Sequence, residues 1–208
     1  MKRQSVVWAS ALLVASLAQS SSVAFANDPG IAPNPERLIS AAFIAETRDW
    51  LANPIVGMSV EAQNAARGTL DDAAIETLDQ QWRAEREQAD KPLIASTLSS
   101  PLSTYLTRVQ AGALGLFTEI FVVDANGLNV GQSAVTGDYW QGDEAKFQNT
   151  FPNGPDAVFI DEAEWDEDRR IWRAQLNLSI PNEDGTQAIG AATVEVNLTE
   201  LQRRGAGS

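Results

Sequence analysis

The apolar residues of this 208-residue chain change their spacing at Phe117, from a helical period to a strand period. Upstream, Asn34 suits a helix N-cap and Pro35 the first helical position. Leu38, Ala41, Ala42, Ala45 and Trp50 then recur at helical spacing, predicting an amphipathic helix that stops near Asn53-Pro54. A second helix is expected to open at Thr69, with Asp72 three residues on as a weak capping box. Its apolar stripe is Leu70, Ala73, Ala74, Leu78 and Trp82, and residues 85–87 form its solvated end. Pro92 and Pro101 punctuate the next stretch, and a short helix runs through Tyr105, Leu106 and Val109. Downstream, β-runs are expected at 120–123, 128–132, 157–160, 171–180 and 188–198, with turn chemistry at 124–127 and 181–185. Helices followed by an antiparallel meander predict an α+β fold, with N-terminal helices packed on a central antiparallel sheet of about five strands. The division expected is a helical part at 36–115, a β-rich part at 116–201 and a tail at 202–208.

The first 26 residues stand outside that argument. Lys2 and Arg3 make a basic start, Val6 to Ala18 an apolar core, and Ala24-Phe25-Ala26 a small-x-small cleavage site. The apolar run is short for a membrane span of roughly 20 residues, and the reading is a secretory signal cut after Ala26. Residues 27–35, rich in Pro, Gly and Asn, are expected to be a disordered leader. The mature chain is thus expected to be periplasmic or secreted. The formal net charge of −13 disfavours nucleic acid and anionic lipid as partners. Absence of both Cys and His removes disulfides, Ser-His-Asp and Cys-His catalysis, the usual zinc ligand sets and His-held haem. Carboxylate-only catalysis survives, and would need two carboxylates facing one cleft. No cofactor or metal is expected: the acidic run 161–168 lacks the spacing of a calcium loop and reads as a solvated turn.

Period-two alternation is clearest in the last two strands. Trp172, Ala174, Leu176, Leu178 and Ile180 share one face, and Arg173, Gln175, Asn177 and Ser179 the other. The partner strand sets Ala192, Val194 and Val196 against Thr193, Glu195 and Asn197. A hairpin centred on Asp184 would bring Arg173 opposite Glu195 and Gln175 opposite Thr193. Two readings of the polar face are open: a solvent-facing sheet with a cross-strand ion pair, or the floor of a ligand pocket with Arg173 as an anion clamp.

The segment Thr136-Gly137-Asp138-Tyr139-Trp140-Gln141-Gly142-Asp143-Glu144-Ala145-Lys146-Phe147 packs two adjacent aromatics, an amide and three carboxylates into one connector. Small-molecule sites combine apolar walls with a few convergent polar groups, which this segment supplies. It resembles the TSDYYQ-x-DE-x-W motif of the Cache (PAS-like, PDC) extracytoplasmic sensor domains, with Gly137 in place of Ser and Phe147 in place of Trp. Ile160-Asp161 followed by Trp165-Asp166-Glu167 is similar to that family's strand end and turn. Ile180-Pro181 and Ile189-Gly190 are similar to its final hairpin. The matches follow one another in order over residues 117–201.

That resemblance implies a non-catalytic, PAS-like single domain that binds a small polar ligand, an amino acid or small carboxylate. It places Thr136, Tyr139, Trp140, Asp143, Arg173 and Gln175 at the ligand, with Tyr139 and Trp140 as an aromatic wall, Asp143, or in its place Asp138 or Asp161, facing an ammonium group and Arg173 a carboxylate. The alternative for Tyr139 and Trp140 is a plug over the core. The resemblance further implies a membrane partner, such as a sensor kinase, chemoreceptor or cyclase, and a homodimer formed through the N-terminal helices. Relatives usually carry that partner in the same chain, and as this sequence stops soon after Leu201, signalling in trans, or none, is expected. The other reading is a ligand-free adaptor that binds a membrane sensor through its helices and aromatic patches.

Overall fold

The computed structural model describes residues 30–206, so the expected signal (1–26) and the first residues of the expected leader lie outside the described residues. Six helices come first: α1 (Pro35–Leu38), α2 (Ala41–Leu51), α3 (Pro54–Arg67), α4 (Asp72–Arg86), α5 (Pro92–Leu98) and α6 (Pro101–Gly112). Proline occupies the opening turn of α1, α3, α5 and α6, where its missing N–H costs nothing. Asn34 caps α1 by accepting from Arg37 N, and Ser40 caps α2 by accepting from Phe43 N.

Asn53-Pro54 ends one helix and begins another. Asn53 accepts from Ile55 N and Pro54 opens α3, a 14-residue helix that the sequence reading left unassigned. The Asn-Pro pair predicts a start at residue 34 and only a stop at residue 53, where the structure makes it both. Helix α4 begins later than expected, because Asp71 rather than Thr69 accepts from Ala74 N.

The strands are β1 (Phe117–Val123), β2 (Asn129–Gln132), β3 (Val158–Ile160), β4 (Glu164–Asp166), β5 (Ile171–Pro181) and β6 (Ala188–Asn197). They form one antiparallel sheet in the order β2-β1-β6-β5-β3, with β4 also paired to β5. The α+β class is as the sequence predicts. Strand β4, three residues long, carries no periodic signal of its own and exists by pairing Trp165 with Trp172. After β6 the chain turns into helix α8 (Leu198–Gly205), capped by Asn197, where a tail was expected. Its Glu200 accepts from Arg203 and Arg204, pairs at helical spacing that short-range patterning alone supplies.

The inner face of the sheet makes the core. Ile120, Val122, Leu176, Leu178, Val194 and Val196 pack under Val56 and Val60 of α3 and Leu102 and Leu106 of α6. Gly131 is where α6 comes closest, since a Cβ there would stand 2.6 Å from Leu102 Cγ.

The β5–β6 register differs from the expected one by two residues. Arg173 lies opposite Asn197, Gln175 opposite Glu195 and Asn177 opposite Thr193. The loop turns beyond Asp184, because Asn182 Oδ1 gathers the N–H groups of Thr186 and Gln187, and a bulge between Ile180 and Pro181 adds a further step. A shift of two preserves the face of every side chain, so the predicted faces stand although the predicted pairs do not.

Candidate functional site

The outer face of the sheet is neither solvent-facing nor uniformly polar. Registers across β1, β6 and β5 set three rows: Glu119–Glu195–Gln175, Phe121–Thr193–Asn177 and Val123–Ala191–Ser179. A short helix, α7 (Ala145–Gln148), and a 3-10 turn at Phe151–Asn153 lie over the lower rows. Phe147 and Phe151 stack with centroids 5.1 Å apart and pack on Phe121, Val123 and Ala191. Lys146 Nζ sits 5.3 Å from the centre of the Phe121 ring. The apolar end of the face is therefore sealed by aromatics. At the other end, Glu119, Gln175 and Arg173 remain half-buried around the buried Glu195.

Arg173 is held by carboxylates. Its Nη1 donates to Glu195, its Nη2 donates to Glu164 at 3.1 Å, and its Nε lies 4.0 Å from Asp166 without a hydrogen bond. Asp166 in turn accepts from the backbone N–H and the guanidinium of Arg169, which hold its pKa below the usual carboxylate value. Glu195 also accepts from the Thr118 hydroxyl. Gln175 contributes a side-chain amide with no hydrogen bond among the described residues.

Glu119 is the group the sequence reading missed. Alternation from Phe117 puts it on the same face as Phe121 and Val123, a signal that was present but unused. Its carboxylate makes no hydrogen bond or close ion pair among the described residues. Burial first, and then the neighbouring charge of Glu195, push its pKa up to about 7, against the opposing pull of Lys146, Arg173 and Arg169. The folded chain therefore holds this proton across a pH range where an unfolded chain, titrating near 4.5, has released it. Stability is expected to fall as pH rises from about 4.5 to about 7, by on the order of 2 kcal/mol after allowance for partial exposure. Glu119→Gln should flatten that slope in denaturant titrations across the same range. An unchanged slope would show that Glu119 is solvated in the folded chain.

The remaining predicted site residues occupy a second cluster at the β2 edge. Tyr139 is 1 % exposed. It stacks on Trp82 of α4 with centroids 5.1 Å apart, and its hydroxyl accepts from Arg67 at 2.8 Å. Burial raises its pKa. Asp79 accepts from the backbone N–H groups of both Tyr139 and Trp140. Trp140 donates from Nε1 to Asn126 O and packs over the glycines at 127 and 142. Thr136 is buried, accepting from Asn129 and donating to Asp138 O, while Asp143 is exposed. Strands β2 and β5 are separated by β1 and β6, about 14 Å at the usual strand spacing, and these residues lie in the connector beyond the β2 edge, away from Arg173 and Gln175. The structure thus divides the six predicted residues between two places, with Arg173 and Gln175 together at the half-open end of the outer face.

Among the described residues no helix is long and apolar enough to cross a membrane. No family model matches the chain, and no curated protein matches it. Several solved structures are similar to it in part. The sensory domain of the Campylobacter jejuni chemoreceptor Tlp3 (CcmL) superposes with a TM-score of 0.38 at 12% identity, over 78% of this chain and 63% of that one. The sensor domain of the V. cholerae histidine kinase DctB does so with a TM-score of 0.38 at 11% identity, over 78% and 58%. The ligand-binding domain of the Pseudomonas aeruginosa PAO1 amino acid chemoreceptor PctC, in complex with GABA, gives 0.35 at 15% identity, over 78% and 63%. The chain spans about three fifths of the length of these solved structures. The structures to which it is similar are sensory or ligand-binding domains of chemoreceptors and histidine kinases.

Proposed function

We propose that the chain is an extracytoplasmic sensory domain that binds a small ligand carrying an ammonium group, an amino acid or related zwitterion, and passes the bound state to a membrane partner such as a sensor kinase, chemoreceptor or cyclase. One observation carries this reading: Glu119, half-buried and without a hydrogen-bond partner, stands directly opposite the buried Glu195. Of these two adjacent carboxylates only Glu195 has a close cation, Arg173, so the unpaired Glu119 favours a bound ammonium, which would keep it ionised at neutral pH. A ligand carboxylate would find the free amide of Gln175, and Arg173 once the exposed Glu164 is displaced from it. Coupling to a partner has a short physical route. Arg173 lies opposite Asn197, the N-cap of α8, and Trp172 N donates to Thr199 within that helix. A shift of Arg173 on binding is thereby felt at the start of α8.

The adaptor reading keeps one specific support, the Phe147–Phe151 plug that already fills the apolar end of the same face. A thermal-shift screen of amino acids, amines and small organic acids separates the two. Ligand binding predicts a saturable rise in Tm, with affinity at pH 8 lowered at least about tenfold, the loss of one charge-assisted hydrogen bond, by Glu119→Gln. An unchanged Tm across the library would leave the adaptor reading in its place.

A further inference from the structure

A cavity of about 780 Å³ opens at the hairpin end of β5 and β6, and it shares no residue with the Glu119 site. It lies between the corner that joins α2 to α3 and the loop that joins β5 to β6. Its volume falls within the range of small-molecule sites, roughly 300–1,000 Å³. The wall is apolar where these elements face each other, with Leu51, Pro54 and Met58 on one side and Ile180 and Pro181 on the other. Met58 is 65 % exposed, unlike Val56 and Val60 of the same helix, which are fully buried.

The charges around this wall are unbalanced. Glu61, Asp156 and Glu183 line the cavity, and none of them forms an ion pair among the described residues. The one cation present, Arg48, is turned to the main chain, its Nη2 donating to Asp156 O at 2.9 Å and Ala157 O at 3.4 Å. Three carboxylates against one guanidinium leave the cavity negative.

We propose that this cavity binds an amphipathic organic cation, an ammonium group on an apolar chain or ring. The apolar body lies between Met58 and Pro181, and the ammonium is taken by the Glu61 and Glu183 carboxylates. This is a second site, independent of the zwitterion reading of the sheet face, and the two chemistries differ in that no carboxylate is required of the ligand here.

The test uses n-hexylammonium as probe and hexanoate as its charge-reversed control, titrated calorimetrically into the full chain at pH 7.5. Gly57 of α3 supplies the blocking variant: it lines the cavity, and a Cβ there meets nothing within 4 Å. Gly57→Phe therefore directs a ring into the cavity from a helical position where the Cβ meets no other atom, and Met58→Arg, at an exposed position, blocks it by charge if the first variant folds poorly. The expected result is saturable binding of hexylammonium at least tenfold tighter than hexanoate, weakened at least tenfold by either blocking variant and severalfold by Glu61→Gln with Glu183→Gln. Absence of saturable binding at millimolar probe, equal affinity for hexanoate, or binding that survives both Gly57→Phe and Met58→Arg overturns the proposal. The sheet-face reading is tested with amino acids and Glu119→Gln, so the two sites fail separately.

Discussion

Replacing Trp82 with alanine is expected to lower stability by about 3–5 kcal/mol, the largest effect of any single core truncation here. Trp82 is fully buried, stacks on Tyr139 at an interplanar angle of 26°, and donates from Nε1 to Thr136 O at 3.1 Å. With Ile94, Leu128 and Tyr139 it forms a cluster separate from the main core, and that cluster is what ties α4 and α5 to the connector after β2. Truncation leaves a large cavity and an unpaired buried carbonyl at once. Trp82→Phe keeps the ring contact and loses the donor, so its cost should be smaller, about 1–2 kcal/mol. Urea denaturation followed by near-ultraviolet circular dichroism measures both. A loss below about 1 kcal/mol for the alanine variant would mean that this cluster does not unfold with the rest of the chain.

Arg173→Ala is the second large effect, on the order of 3 kcal/mol, the range found when one member of a buried ion pair is removed. Glu195 has a side chain only 6 % exposed and keeps the Thr118 hydroxyl as its remaining close partner once the guanidinium is gone. Glu119 stands opposite, so the two carboxylates then repel without the cation between them and Asp166. The loss should accordingly be smaller at pH 5.5, where Glu119 is protonated, than at pH 8. Arg173→Met combined with Glu195→Gln should recover most of the stability, because it removes the stranded charge along with its partner. If the double variant is as unstable as Arg173→Ala, Arg173 contributes through packing of its alkyl stem rather than through charge. Amino-acid affinity measured on that folded double variant then tests the ligand role of Arg173 apart from its structural one.

Legibility differed by element for identifiable reasons. Strands β5 and β6 were readable because a strand buried on one face must alternate, and Ala174, Leu176 and Leu178 do so against Arg173, Gln175 and Asn177. Helix α3 was missed although its Asn53-Pro54 start carries the same cap chemistry as Asn34-Pro35, because a stop and a start fell on the same two residues. Strand β4 could not be read at all, since three residues have no period and are ordered only by the neighbouring strand.

The outer-face site shows the same division. Alternation alone puts Arg173 and Gln175 on one face of β5, and they stand there together in the sheet. Tyr139 and Trp140 looked equally suited to a ligand wall or a plug, because the local sequence is identical in both cases. The stacking of Trp82 on Tyr139, from 57 residues away in the chain, is not written in that local sequence.

The sequence by itself determined the order of helices before strands, the helix starts marked by caps and prolines, and which side of β5 and β6 faces the core. Each of these rests on interactions within a few residues or on a period that burial imposes. Tertiary structure alone decided the register, which depends on one loop and one bulge, and the meeting of Glu119 with Glu195, which lie on strands far apart in the chain. It also decided that a cavity opens between the α2–α3 corner and the β5–β6 loop. Those features depend on distances between elements, and no local pattern encodes a distance to a partner it does not contain.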